Sequence, residues 1–318
     1  MNKKFKKLIF TILPIALGVF LIWYFLSQLS VSDKETIISS FKTADYRWVA
    51  LSLFLGILSH LSRAYRWGFM LEPLGYKPRF VNLVFTVLIA YLINLIIPRA
   101  GEIARATAIK KYEKIPFKKA LGTIVAERIA DVIMLLLIIS IAFFIQADFL
   151  LKSGLFNPLQ SLITLLILGV VGAISIYILK KSNHFIAKKV KSFLMDLLEG
   201  VKSILNMKSK WAFIFHTVFI WAMYVLMFYT VTFALPETTN LPFGAIITGF
   251  VVGGLSMAIT NGGLGVYPIF VASALILYGV DGNPAKAFGW IMWTAQTLMV
   301  LAFGGLSFLL LPIINKEK

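Results

Sequence analysis

Apolar runs long enough to cross a bilayer recur from one end of this chain to the other. Residues 8–29, 48–67, 81–97, 118–146, 159–179, 211–235, 243–260, 268–280 and 284–314 leave no soluble stretch of domain size between them. About 20 apolar residues span a hydrocarbon core of roughly 30 Å as a helix, and a chain in lipid must satisfy its own backbone polar groups. The fold class that follows is an all-α, polytopic integral membrane protein, a single transmembrane domain over 1–318. Composition agrees: 59% of residues are hydrophobic and 14% charged, with mean hydropathy +0.86, against about 25% charged in soluble domains. The net charge of +17 would point to nucleic acid in a soluble protein. Here the cytoplasmic bias of Lys and Arg accounts for it, and no nucleic-acid partner is expected. There is no cysteine, and His60, His184 and His216 are scattered. Neither a metal nor a cofactor is expected.

Alternating the runs in and out fails at 81–97. Lys and Arg cluster on both sides of it, at Arg63, Arg66, Lys77 and Arg79 before and from Arg99 to Lys119 after. A spanning helix would put one strongly basic loop outside. The conflict disappears if 81–112 is a re-entrant hairpin that enters from the cytoplasm, turns at Pro98-Arg99-Ala100-Gly101, and returns. An 11-residue return leg covers about 16 Å, half the hydrocarbon thickness. A second hairpin, 243–280, breaks at Thr260-Asn261-Gly262-Gly263-Leu264-Gly265, restarts at Pro268 and has few basic residues on its flanks, so it enters from outside. With about six further spanning helices, only Lys34, Lys42, Arg47, Lys152 and Lys286 lie outside. Arg128 lies within a span, which leaves 25 of the 31 basic residues on the cytoplasmic side. Both termini are expected in the cytoplasm, in the inner cell membrane. The lysines before 8–29 resemble a signal peptide, but that apolar stretch is too long for one and reads as a retained helix.

The two hairpins are expected to belong to an inverted repeat. Trp48 and Trp211 open corresponding runs 163 residues apart (211 − 48), and the same shift carries Gly101 onto Leu264, inside the second break. The halves are 8–146 and 159–314. Opposed halves with broken helices at matching positions are the architecture of secondary transporters. Between them, Ile186, Val190, Phe193, Leu197, Val201 and Ile204 recur at helical spacing among lysines. Residues 182–207 therefore read as a cytoplasmic interfacial amphipathic helix.

Ionisable residues at membrane depth are costly and face a cavity or one another. The first hairpin supplies Arg99, Glu102 and Arg105, and the next span Glu127, Arg128 and Asp131. Glu102 with Arg105, and Arg128 with Asp131, are i,i+3 pairs. One reading makes the six a polar clamp between helices. The other has arginine bind a phosphate through its planar fork. Arg63 and Arg66 read as interfacial anchors or as part of a headgroup route. Gly262, Gly263 and Gly265 permit a tight turn, and helices starting near Glu102 and Pro268 would aim partly positive N-termini at an anion. No GxSxG, P-loop, HExxH or DxD motif is present.

The string Arg63-x-x-Arg66, Pro98-x-x-Gly101-Glu102-x-x-Arg105, Glu127-Arg128-x-x-Asp131 and Gly262-Gly263-Leu264-Gly265 resembles the flippase-like membrane family, the lysylphosphatidylglycerol synthase transmembrane region. In synthases of that family this region moves a charged lipid between leaflets while a soluble domain attaches the amino acid. The resemblance thus implies translocation without synthesis. Some archaeal relatives are associated with polyprenyl-phosphate-linked sugars. Many relatives carry an acid shortly after the glycine turn, where this chain has Val266-Tyr267-Pro268, so no role of that acid carries over.

The expectation is a lipid translocase, not an enzyme, whose partners are membrane lipids: an anionic phospholipid or a polyprenyl-phosphate lipid. Arg99, Arg105 and Arg128 would contact phosphate, positioned by Glu102, Glu127 and Asp131. The rivals are a membrane-embedded lipid-phosphate transferase with Asp131 or Glu127 as base, and a non-transporting scaffold of a lipid enzyme.

Overall fold

The structure is a computed structural model that describes residues 31–146 and 206–316, with a few isolated positions besides. The expected spans over 8–29 and 159–179, and the interfacial helix over 182–207 apart from its end, fall outside the described residues. The chain divides into two compact units, Met1–Ile124 with Trp211–Lys318, and Val125–Lys210.

Among the described residues every regular element is helical. The helices are α1 (Val31–Thr43), α2 (Tyr46–Leu71), α3 (Phe80–Ile96), α4 (Gly101–Glu113), α5 (Phe117–Ile145), α6 (Lys210–Val231), α7 (Phe243–Ser256), α8 (Val266–Ile276) and α9 (Gly282–Ile314), with short 3-10 turns between some of them. Three of these, α5, α6 and α9, are long and apolar enough to cross a membrane; α3, α7 and α8 are apolar but shorter. This is a membrane protein. The boundary between the units falls within α5.

Local chemistry sets the ends. Asp45 caps α2, its carboxylate accepting from the Arg47 N–H at 3.0 Å. Hydrogen bonds from the Arg47 guanidinium hold that carboxyl below the usual carboxylate range. Pro98 forces Ile97 out of the helical region, to φ −128° and ψ 112°, and α3 stops. The second hairpin differs from expectation: α7 ends at Ser256, before the glycines, and α8 restarts at Val266, with Pro268 in its first turn, where a missing N–H costs no helical bond. The sequence also gave no sign of α1, a polar helix whose Ile37 is buried in the core.

In the first unit each hairpin folds back on itself. At the base of the first, the Glu113 carboxylate at the end of α4 accepts from the Arg79 N–H at 3.0 Å and from Asn82 near the start of α3. At the base of the second, the hydroxyls of Thr248 and Tyr278 lie 3.1 Å apart. Helix α9 runs along both. Its Gly289 lies against the Pro268 backbone, Trp293 donates to the Gly262 carbonyl at 2.8 Å, Gly304 lies against Leu88 and Leu92, and Asn315 exchanges hydrogen bonds with Asn82 at 2.7 and 2.9 Å. The shift of 163 residues carries α3 (80–96) onto 243–259 and α4 (101–113) onto 264–276, where α7 and α8 lie.

The core centres on the second hairpin, where Phe228 and Phe288 meet edge to face at 5.2 Å between centroids and Tyr267, Val271 and Leu275 fill in around them. Lipid tails are as apolar as leucine, so burial in a membrane gains little from the hydrophobic effect. Close contacts at small residues and interhelical hydrogen bonds hold such helices together. The Asn82–Glu113–Asn315 knot is therefore a principal fastener. Asn82 is fully buried; Asn82→Ala leaves polar groups without partners, at a cost of about 1–3 kcal/mol. We expect a lower melting temperature in detergent, with the exposed Asn240→Ala unchanged.

Candidate functional site

The two helix breaks meet. Asn261, in the second break, donates through Nδ2 to the Ile96 carbonyl at the end of α3, at 3.2 Å. A Cβ on Gly262 would lie 2.5 Å from Leu95 Cδ2. The left-handed backbone favours glycine here: φ is +59° at Gly262, +75° at Gly263 and +74° at Gly265. Arg99 adopts φ +59° as well, which few non-glycine residues do, and its side chain is exposed. Asn94 accepts from the Gly101 N–H at 2.8 Å, so one of the free donors at the start of α4 is already satisfied. Both α4 and α8 begin at the breaks, bringing two partly positive helix ends towards one region. Asn261 is 6% exposed, and its Oδ1 is buried with no hydrogen-bond partner among the described residues.

Helices α2 and α4 carry a set of buried cations. Arg63, Arg66 and Arg105 are 2%, 0% and 2% exposed. Arg63, Arg66 and Trp67 share one face of α2, turned against α6 and α4. Arg66 donates to Thr217 Oγ1 at 2.9 Å and lies 5.2 Å from the Phe213 ring centre. The Arg105 guanidinium stacks 3.8 Å above the indole of Trp67, whose Nε1 donates to Thr123 at 2.9 Å. Arg63 donates to the Tyr224 hydroxyl at 3.4 Å, itself 3.1 Å from the Tyr91 hydroxyl, and the ring of His60 lies 4.3 Å from that of Tyr91. Arg63 and Arg66 are thus enclosed, received by aromatic and hydroxyl groups of the neighbouring helices.

Glu102 is half-buried, one turn before Arg105. In the second unit Glu127 is fully buried, Asp131 is 8% exposed, and Arg128 pairs with Asp131 at 3.5 Å across i,i+3 as the spacing predicts. Sequence reasoning missed His60, Trp67, Tyr91, Thr217 and Tyr224. A signal for two of them was present: His60 stands one turn before Arg63, and Trp67 follows Arg66. The others come from distant segments. Guanidinium planes on aromatic faces keep their charge away from water and hold N–H donors in fixed directions, which suits an anion with several oxygens.

Comparison with known proteins gives the same class of molecule. The chain is 32% identical over 111 residues to a UPF0104 membrane protein of Methanocaldococcus jannaschii, covering 34% of this chain and 33% of that one. It is 26% identical over 188 residues to a UPF0104 membrane protein of Pyrococcus horikoshii, covering 58% and 51%. It is 29% identical over 102 residues to the glycosyltransferase AglD of Haloferax volcanii, covering 32% and 16%. The chain thus spans about half or less of the length of each of these curated relatives. No solved structure matches it. Residues 11–304 match the family described as the lysylphosphatidylglycerol synthase TM region, and the chain belongs to that family.

Proposed function

We propose that the protein is a membrane lipid translocase that moves an anionic phospholipid or a polyprenyl-phosphate lipid between leaflets of the inner cell membrane. The observation that carries this reading is the meeting of the two breaks, Asn261 on Ile96, in a unit that also buries Arg63, Arg66 and Arg105. In this reading the first hairpin is re-entrant from the cytoplasm and the second from outside, as the two halves of an inverted repeat. The headgroup passes the tips while its chains remain in lipid. Arg99 and Arg105 contact phosphate, with Arg63 and Arg66 along the route, Glu102 positioning Arg105, and Gly262, Gly263 and Gly265 shaping the passage. In the second unit Arg128 has the corresponding role, with Glu127 and Asp131 positioning it or exchanging protons if transport is ion-coupled.

The topology has its own test. The chain lacks native cysteine, and Lys77, Lys114 and Asn240 are exposed. Single cysteines at Lys77 and Lys114 should label from the cytoplasm and one at Asn240 from outside. Labelling of Lys77 and Lys114 from opposite sides would overturn the re-entrant hairpin.

The function is tested by reconstitution into liposomes with labelled lipids, with and without an ion gradient. Changing Arg99, Arg105 or Arg128 singly to Lys keeps the charge and removes the bidentate fork. At least one of these changes should cut translocation about tenfold in a protein that melts like the parent. Asp131→Asn should abolish any pH dependence of transport. Parental rates and parental pH response in all four variants would make the charges structural. The match to part of a glycosyltransferase favours a transferase as second reading. A sugar-lipid product formed by the purified protein from a donor would establish it.

A further inference from the structure

A groove lies among α3, α4 and the end of α9. Ile93, Ala104, Ala108, Phe308 and Leu311 form its apolar walls, and Lys111 stands at its base. We propose that it seats one acyl chain of an anionic phospholipid, with the phosphate at Lys111. The inference rests on the translocase reading for its role, as the docked state of the transported lipid.

Three observations fit this occupant. The lining extends from Ala100 at the break to Tyr112 at the hairpin base, twelve residues or about 18 Å of helix. Half of a roughly 30 Å hydrocarbon core is about 15 Å, so the groove is one leaflet deep. Its volume, about 610 Å³ over that length, leaves room for a single hydrocarbon chain. Ala104 and Ala108 lie one turn apart on α4 and leave the space open. Lys111 is the one charged residue in the lining, with its Nζ 5.0 Å from the Tyr112 ring centre. Lys110 and Lys114 are exposed nearby, so three lysines outnumber the neighbouring carboxylate, Glu113, which accepts from the Arg79 backbone N–H and from Asn82. The mouth of an apolar slot therefore carries net positive charge.

The test uses the full chain in phosphatidylcholine–phosphatidylglycerol vesicles containing a trace of either lipid with a diazirine on its acyl chain. After illumination, adducts should map to the segments carrying Ala104, Ala108 and Leu311, at least fivefold more with the phosphatidylglycerol probe. Lys111→Gln should bring the two probes level. Ala108→Phe should remove most of the adduct, and Ala104→Leu repeats that test if Ala108→Phe fails to fold. Equal labelling by both probes in the parent, unaffected by filling the groove, would show an ordinary boundary lipid and overturn the proposal. So would efficient cross-linking of Ala108→Cys to a cysteine placed within residues 8–29, or to a second copy of the chain. Translocation is measured on the same samples. Transport without these adducts refutes the seat and leaves the translocase standing. The expected adducts without transport support a lipid seat and refute translocation.

Discussion

Gly101→Ala should open the first hairpin. Gly101 has no positive φ, so backbone freedom is not the issue; contact is. A Cβ there would run into the Ala90 carbonyl oxygen and lie 2.7 Å from Asn94 Nδ2. The backbone oxygen cannot turn aside as a flexible side chain would, so the legs must separate or α3 must shift, at a cost of about 3 kcal/mol. Thermal unfolding in detergent should show the loss. Gly289→Ala should behave alike, its Cβ meeting the Pro268 carbonyl oxygen at 2.5 Å. Gly305→Ala is the control: it lies in α9 with nothing within 4 Å, so it should cost nothing and gain up to about 1 kcal/mol from helix propensity. Parental melting of both Gly101→Ala and Gly289→Ala would mean that the hairpins are not seated as described.

Arg105 and Trp67 should prove strongly coupled. A guanidinium 3.8 Å above an indole, with both residues buried, interacts by about 2 kcal/mol when water is excluded. The expected result of a double-mutant cycle on Arg105→Met and Trp67→Leu is a coupling of that size, measured from unfolding free energies. Trp67→Leu alone should cost about 3 kcal/mol, through its cavity and the lost Thr123 hydrogen bond. A coupling below about 0.5 kcal/mol would show that the stack is incidental and that Arg105 is held by its other neighbours.

The hairpin at Pro98 was legible because its signals are local. A proline, a glycine and basic residues on both flanks fix a break near 97–100, and α3 ends at Ile96 as that requires. The shift of 163 residues was legible for the same reason, since helix breaks leave marks in sequence. The end of α7 was not: it stops four residues short of Thr260 although no proline is there, and the side chain of Tyr267 comes from α8 to lie against Gly253. Hydropathy also fails to tell a lipid-facing leucine from a buried one. On α5, Leu136 is 58% exposed and Ile124 1%, yet both belong to one apolar run. For the site, residue types were legible but enclosure was not. Arg63 and Arg66 are two arginines near a helix end until Thr217, Phe213 and Tyr224 arrive from more than 140 residues away.

The tip-to-tip junction has a mechanical consequence. Each hairpin is fastened along α9 by contacts at glycine and by paired side chains, but across the junction the named ties are one hydrogen bond, Asn261 to Ile96, and the seat of Leu95 on Gly262. In the proposed topology these two half-depth plugs form a septum that is thinnest at its seam. On the translocase reading the seam acts as a latch between two firmer hinges, and a polar group crossing it would disturb only the Asn261 hydrogen bond and the seat of Leu95.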